Sequence, residues 1–376
     1  MMAQQARHIL VINWQDITHP MGGGAEVHCH EIFKRVASKG TTVTLLCCHY
    51  PGAKQDEWID GIRIIRRGNR STFNFMVPFA YHGLRKQMRF DMVFDDVNKI
   101  PFCTPLFVKE PLWAIAHHLF RKSIYLEAGF MPASYVYISE YLIPLVYRHT
   151  PFAVVSESTR QELKEFGVRG PITLLPNAVD AERYEYRPEL RSKEPLIGYL
   201  GRLKKYKRVD HLLIAFSRVL SELPSARLLI VGGGDDLSRL ESKAIELDVA
   251  DKVTFTGHVS QKDKLHHINR MWLAANPSSK EGWGLTVIEA NACGVPVVAA
   301  DSPGLRDSVV DQKTGMLYPF GEITELSKRL LLLLKDSELR KKLGKQSKQW
   351  ADSFTWDRSA QIAMDLIDKS CKRRTV

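Results

Sequence analysis

Two periodicities alternate along this chain. Short apolar runs of about five residues are separated by longer stretches in which apolar positions return every three or four residues. The short runs predict buried strands and the longer ones amphipathic helices, and their alternation predicts parallel α/β units. In the first half, strands are expected over 8–13, 42–48, 92–97, 113–117, 153–156 and 172–175, with helices over 25–38, 133–147 and 158–166. A second series opens at Leu196-Ile-Gly-Tyr-Leu200 and continues at 228–231, 253–256, 272–275 and 297–300. Between the series, 182–195 is charged, holds two prolines and has little apolar pattern, so it reads as a linker. The chain is therefore expected to form two Rossmann-like doubly wound domains, 1–185 and 186–355, facing a central cleft. A helix over 356–371 is expected to cross back onto the first domain. Ligands of such sheets bind beyond the carboxyl ends of the strands.

Composition narrows the class. A chain of 376 residues is long for a single core, and 44% hydrophobic with 25% charged residues is ordinary for a globular protein. The start lacks the charged-then-apolar pattern of a leader, and the run Leu330–Leu334 is flanked by Lys328, Arg329 and Lys335. Neither a cleaved signal nor a spanning helix is expected. The six cysteines form no Cys-x-x-Cys pair and several sit in apolar patterns, which fits a reducing cytoplasm. The net charge of +11 suits phosphate ligands, anionic membrane surfaces or nucleic acid, and no nucleic-acid motif is present. The stretch 61–90 holds seven basic residues (Arg63, Arg66, Arg67, Arg70, Arg85, Lys86, Arg89), no acidic one and five interleaved aromatics. It reads either as a grip for the inner face of an anionic membrane or as a domain surface whose aromatics belong to the core.

The richest chemistry lies in Glu281-Gly-Trp-Gly-Leu-Thr-Val-Ile-Glu289. Glycines bracket the start of an apolar helical run, Leu285 to Cys293. A helix N-terminus offers free N–H groups and partial positive charge to an anion such as a diphosphate. Glu281 in the loop and Glu289 about two turns into the helix can face one ligand from different depths, and carboxylates accept from hydroxyls of sugar and ribose. Gly201-Arg202, with Lys207 five residues on, follows the strand ending at Leu200 and puts two cations at a strand end, suited to phosphate. Gly22-Gly23-Gly24 opens a helix at Ala25 and stands equally for a phosphate or sugar contact and for a flexible turn. Gly232-Gly233-Gly234 is similar, but Asp235 and Asp236 follow it. His117 and His118 end the strand from Trp113, where one of the pair could reach a sugar hydroxyl and the other must point away. Asp95, Asp96 and Asn98 either orient an acceptor or close a turn. No Asp-x-Asp occurs, so the usual carboxylate pair for a divalent metal on a nucleotide diphosphate is missing.

Taken in order, these motifs resemble the retaining GT-B glycosyltransferases of glycosyltransferase family four. The likeness runs through Gly22-Gly-Gly-Ala-Glu26, Val155-Ser-Glu-Ser-Thr159, Pro176-Asn-Ala-Val-Asp180, Gly201-Arg202 with Lys207, Phe255-Thr-Gly-His-Val259, Pro277-Ser278, the Glu281–Glu289 motif and Gly294-Val-Pro-Val-Val298. It implies transfer of a sugar from a UDP- or GDP-linked donor with retained anomeric configuration. No cofactor beyond that donor is implied, nor any metal site. The donor is expected on the C-terminal domain and a glycan, lipid-linked or small-molecule acceptor on the N-terminal one. By the same likeness Arg202 and Lys207 hold the diphosphate, and Glu281 contacts the sugar hydroxyls. The backbone of Gly282, Trp283, Gly284 and Leu285 lines sugar and phosphate, Glu289 takes the ribose, and Val259 lies near the base. Gly23 and Gly24 close over the diphosphate, and His117 matches the family's strand-end histidine better than His118. Ala178 stands where the family often has glycine, so the turn there is expected to differ. A nucleotide-sugar epimerase and a non-catalytic donor-binding scaffold remain the alternatives. A nicotinamide oxidoreductase lacks its fingerprint here.

Overall fold

The computed structural model describes residues 7–97, 100–180 and 183–372. Asn98 and Glu182, both singled out from the sequence, lie outside the described residues. The chain divides into two compact units, one of 1–124, 129–177 and 356–376 and the other of 125–128 and 178–355.

The N-terminal unit is built on β1 (His8–Ile12), α1 (Gly24–Ser38), β2 (Thr42–Cys47), β3 (Asp56–Ile59), β4 (Ile62–Arg66), α2 (Phe73–Gln87), β5 (Met92–Val97) and β6 (Leu112–Ala116). It continues with α3 (Phe130–Glu140), α4 (Leu142–Val146), β7 (Phe152–Val154), α5 (Glu157–Phe166) and β8 (Ile172–Leu174). Its eight strands run in the order β3-β4-β2-β1-β5-β6-β7-β8. All neighbours are parallel except the hairpin β3–β4. That hairpin turns on Asp60 and Gly61, both at positive φ (47° and 79°), as a two-residue turn matched to strand twist requires. One sheet face carries Leu10, Ile12 and Val93 against Phe73, Val77 and Tyr81 of α2. The same face carries Ala114, Ala116 and Val154 against Ile143 and Tyr147. The other face meets α1, where Phe33 stands edge-on to Phe94 at 5.1 Å.

Two sequence expectations change here. The helix expected over 133–147 is two helices. Pro144 has no N–H to offer the carbonyl of Glu140, and α3 ends at that residue. The stretch 61–90 is an open basic surface only in part, with Arg70, Arg85, Lys86 and Arg89 exposed. Arg66 is fully buried at the end of β4, donating from Nε to Asp16 Oδ2 (2.6 Å) and from Nη1 to Glu57 Oε1 (2.5 Å). Arg63 pairs with Asp56 and Arg85 with Glu110. Carboxylates from other segments supply the partners that 61–90 lacks. Of its aromatics, Phe73, Tyr81 and Phe90 are core, while Phe75 and Phe79 on α2 face outward.

The C-terminal unit comprises β9 (Leu196–Leu200), α6 (Val209–Glu222), β10 (Arg227–Val231), α7 (Leu237–Glu246), β11 (Val253–Phe255), α8 (Gln261–Arg270) and β12 (Leu273–Asn276). After these come α9 (Leu285–Ala292), β13 (Val297–Asp301), α10 (Leu305–Ser308), β14 (Gly315–Pro319), α11 (Ile323–Lys335) and α12 (Ser337–Asp352). The sheet is wholly parallel, in the order β11-β10-β9-β12-β13-β14. The strand order reverses beside β9, and that switch point is where such sheets open a crevice for ligands. The last helix, α13 (Trp356–Lys372), returns to the N-terminal unit. It buries Trp356, Ala360, Ala363, Leu366 and Ile367, and its Ser370 accepts from the Trp113 indole at 3.0 Å.

Among the described residues no helix is long and apolar enough to cross a membrane. All six cysteines are free thiols.

Candidate active site

In the C-terminal unit three loops at the carboxyl ends of β9, β10 and β12 are laced together by backbone. Gly201 N–H donates to Val231 O (3.0 Å) and Leu203 N–H to Gly233 O (2.9 Å). A Cβ at Gly232 or Gly234 would collide with the carbonyl of Gly201 or Leu203. The triple glycine 232–234 therefore serves close backbone packing, which fixes the Gly201–Lys207 loop. Ser279 donates both its N–H and its hydroxyl to Tyr206 O, each at 3.0 Å, and so ties the loop after β12 to the loop after β9.

Lys207 and Glu281 meet across that tie, Nζ to Oε1 at 2.5 Å, each side chain mostly buried. The ammonium also sits 5.0 Å from the centre of the Tyr206 ring. Burial works against the charge of Lys207. The opposing pull of Glu281, with Tyr206 and Tyr199, outweighs it and lifts the pKa above that of an ordinary lysine. Arg202 is exposed and makes no ion pair among the described residues. Its backbone carbonyl accepts from Tyr199 OH at 3.1 Å. One cation is thus locked and one free at the end of β9.

Glu281 N–H is held by Pro303 O at 3.0 Å. Gly304, at φ 82°, has no room for a Cβ beneath the Glu281 carbonyl. Gly282 is half-buried, and the side chain of Trp283 is buried edge-on to Phe354 at 4.7 Å. Trp283 therefore anchors the loop, and only its backbone is available to a ligand. Gly284 caps α9 at φ 85°, with Ser308 Oγ 2.8 Å from where a Cβ would stand. Leu285 begins α9, and its N-terminus has no side-chain cap. Glu289 lies little more than one turn into α9 rather than the expected two, buried, with Oε1 accepting from Tyr184 OH (2.5 Å) and Lys264 Nζ (2.7 Å). Burial, then Glu289, raises the pKa of Tyr184 far above its usual value, so its phenol stays a donor. Val259 is half-buried just before Ser260, the cap of α8.

In the N-terminal unit, Gly23 caps α1 and its N–H donates to Glu26 Oε2 at 2.6 Å. A Cβ on Gly24 would meet nothing within 4 Å, so the helix start is open. His117, just past β6, is buried with Nε2 3.2 Å from Asp96. Its ring stands edge-on to His28 at 5.1 Å. Burial lowers the affinity of His117 for a proton, but the charge and hydrogen bond of Asp96, helped by Glu26, raise it above 6.5 overall. Burial, then the charge of His117, drives His28 down to about 3, and its ring bonds to Leu175 O at 2.9 Å. His118 turns aside and stacks on Phe120. Asp95 lies on the opposite sheet face, accepting from Tyr147 OH at 2.6 Å and from Thr104, with burial pushing it up to about 7. It therefore stabilises the core, while Asp96 belongs with His117. Ala178 is not at positive φ, so this turn has no need of glycine.

Three partners escaped the sequence reading: Tyr184 inside the presumed linker, Lys264 on α8, and Gly304. Tyr184 and Glu289 are 105 positions apart, a distance over which spacing carries no signal. The Gly23-x-x-Glu26 spacing of a capping box was available.

The fold and these loops match known proteins. The model described as Glycosyltransferase Family 4 matches residues 22–183, and that described as Glycosyl transferases group 1 matches 180–350. A GDP-mannose-dependent alpha-(1-6)-phosphatidylinositol monomannoside mannosyltransferase of Mycolicibacterium smegmatis is 32% identical over 228 residues, covering 56% of this chain and 60% of the relative. A D-inositol 3-phosphate glycosyltransferase of Nocardia farcinica is 33% identical over 227 residues, covering 56% and 50%. The matched region thus spans little more than half of these relatives. Among solved structures, sucrose-phosphate synthase from Thermosynechococcus elongatus superposes with a TM-score of 0.82 at 20% identity, covering 96% of this chain and 98% of that one. WaaG, a glycosyltransferase involved in lipopolysaccharide biosynthesis, superposes with a TM-score of 0.76 at 18% identity, covering 96% and 99%. The fold is GT-B, and with the two family models running end to end over 22–350 the chain belongs to glycosyltransferase family four.

Proposed function

We propose that this protein is a retaining glycosyltransferase that moves a sugar from a UDP- or GDP-linked donor to a hydroxyl of a glycan or lipid-linked acceptor. The observation that carries the reading is the Lys207–Glu281 pair beside Arg202, on loops held together at the carboxyl ends of β9 and β12. Two cations and a hydroxyl-accepting carboxylate match a sugar diphosphate group for group. In this reading Lys207 exchanges Glu281 for phosphate, and Glu281 turns to the sugar hydroxyls. The Gly282–Leu285 backbone lines sugar and phosphate. Glu289 takes the ribose, and Val259 borders the base. In the N-terminal unit, the strand-end His117 is assigned to a sugar hydroxyl or to developing charge.

The bond from the anomeric carbon to the diphosphate oxygen breaks, and its electron pair leaves with that oxygen, where Arg202 and Lys207 stabilise the developing charge. The acceptor oxygen bonds to the same face of the carbon, and its proton passes to the departing phosphate oxygen. No protein nucleophile, metal or further cofactor enters this scheme. The test is a thermal-shift screen of UDP- and GDP-sugars, followed by NMR of the anomeric centre in the product. Retained configuration is expected. Inversion overturns the retaining mechanism. Epimerised nucleotide sugar without transfer replaces the transferase by an epimerase, and donor binding without turnover leaves a scaffold.

A lipid-linked acceptor is supported by the outer surface of the N-terminal unit. Along α3 and α4, Met131, Tyr135, Ile138, Leu142 and Leu145 recur at alternating four- and three-residue spacing, and all are exposed, Met131 at 81% and Leu145 at 74%. Phe75 and Phe79 on α2 add to the same surface through Asn74, which donates to Tyr135 OH at 3.3 Å. No exposed acidic residue lies on α2, α3 or α4, because Glu140 is turned inward onto the N–H groups of Phe120 and Arg121. The exposed cations Lys86 and Arg89 end the α2 side. An apolar, acid-free face edged with cations suits an anionic bilayer surface. Co-sedimentation with phosphatidylglycerol vesicles is expected, and it should be weakened by Phe79→Ser with Ile138→Ser. Vesicle-independent self-association through this face would replace the lipid by a second copy.

A further inference from the structure

The C-terminal unit carries a second cavity, of about 600 Å³, at the opposite end of its sheet from the loops just described. Its walls include Ser192, Trp272 and Pro296, which precede β9, β12 and β13, whereas Arg202, Lys207 and Glu281 follow β9 and β12. The remaining walls come from 186–191 and from α12. Five of the fourteen lining residues are cationic, and one, Asp352, is acidic.

Two of those cations are set into the protein. Arg191 donates to the backbone carbonyls of Asn269, Met271, Cys293 and Gly294, which staples the starts of β12 and β13 to the incoming chain. Arg340 donates to Leu333 O (2.6 Å) and Leu334 O (3.1 Å) at the end of α11, and its guanidinium lies 4.3 Å over the Trp272 ring. Neither has a carboxylate ion-pair partner among the described residues. Carbonyl dipoles and an aromatic face take up their N–H groups, and Arg340 also feels the carboxylate of Asp336. Burial holds Arg191 below the usual arginine range against the smaller opposing pulls of Tyr186 and Cys293, and the like charge of Arg340 adds least. Lys345, exposed at the rim, has no partner among the described residues, whereas Lys341 pairs with Glu338 and Lys348 with Asp352. Tyr186 provides a second, half-exposed aromatic wall.

Positive charge is costly to bury without an anion, and here it borders a cavity large enough for a small organic molecule. We propose that this cavity is a second ligand site that takes an organic phosphate. The phosphate would meet Arg340 and Lys345, and the sugar or base ring would pack against Tyr186 and Trp272. The site is separate from the donor loops, and its existence does not rest on the glycosyl-transfer reading.

The test is calorimetric titration of the full chain with adenosine 5′-monophosphate, glucose 6-phosphate and inorganic phosphate in parallel. Each titration is done with the donor loops saturated by UDP and, separately, by GDP. A saturable site that persists under both diphosphates is expected, with the ring-bearing phosphates binding at least tenfold more tightly than phosphate alone. Whichever of the two ring-bearing esters binds more tightly assigns the ring as base or sugar. Lys345→Glu, a surface change that disturbs no internal contact, should weaken this binding at least tenfold and leave UDP and GDP affinity unchanged. Tyr186→Ala should remove the preference for ring-bearing esters over phosphate. Absence of saturable binding once the diphosphate is present overturns the proposal, as does binding that Lys345→Glu leaves unaltered.

Discussion

At the scale of single residues, the charge on Lys207 is secured by Glu281 before any ligand arrives. Lys207→Ala and Arg202→Ala should each weaken nucleotide diphosphate binding by roughly 1.5–3 kcal/mol, the range for a charge-assisted contact. Titration of each variant with UDP and GDP checks this, and unchanged affinity in both would remove the assignment. Because the proposed scheme gives the diphosphate two protein cations, turnover should survive EDTA. Activity that vanishes and returns only with magnesium or manganese would contradict the scheme. The histidine pair 28 and 117 makes a different prediction. His28 is held near 3 in the folded chain and titrates near 6.5 when unfolded, so the unfolded state binds the extra proton in between. Its contribution to stability is complete above pH 6.5 and declines as pH falls towards 3, by up to about 1.4 kcal/mol per pH unit. His117, whose pKa is raised, acts with the opposite sign, and its contribution is lost as pH rises past 6.5. Asp95, raised to about 7, also opposes His28, so the wild-type profile alone hides the effect. Urea unfolding of His28→Gln against wild type across pH 4–7 isolates it. The variant should lose less stability in acid, and parallel profiles would refute the shift.

At the scale of elements, the loop that carries Glu281 is shaped by a residue outside the motif. Gly304 sits at positive φ directly under the Glu281 carbonyl. Gly304→Ala should strain both segments, lowering stability by about 1–3 kcal/mol and weakening donor affinity through Glu281. Thermal unfolding and nucleotide-sugar titration measure the two effects, and a stable variant with full affinity would show that the loop has slack. The same scale shows where sequence suffices. β5 and β9 form over the residues their apolar runs predict, and α1, α5 and α9 within a residue or so, because each is set by a strong local period. α2 was missed because Pro78 interrupts its pattern, yet the helix tolerates the proline and buries Phe73, Val77, Tyr81 and Leu84 around it. β3 and β4 were missed because charged residues break their alternation, although Asp60-Gly61 is a hairpin signal in its own right. The motif glutamates were legible as residues. Their partners Tyr184, Lys264 and Lys207 were not legible as partners, since contacts spanning 25 to 105 positions leave no periodic trace.

At the scale of the molecule, α13 belongs to the unit at the other end of the sequence. It buries Ala363, Leu366 and Ile367, and Asp357 pairs with Arg35 of α1. Ile367→Ala should cost roughly 2–5 kcal/mol of stability in the N-terminal unit. Nucleotide affinity, which the proposed function assigns to the C-terminal unit, should hold at low temperature. Paired thermal unfolding and calorimetry read both, and joint loss would show that the two units do not behave as separate bodies.

The return of α13 also sets an order of assembly during synthesis. Residues 178–355 are all translated before 356–372, so every strand of the second unit's sheet exists before the helix that completes the first. The N-terminal unit is begun first but cannot finish until the helix that covers Trp113 and flanks α1 has been made, after the whole of 178–355. Through that interval it must wait with apolar surface uncovered. The unit begun first is then completed after the unit begun second, and its exposure to aggregation and proteolysis lasts at least as long as 178–355 take to be made.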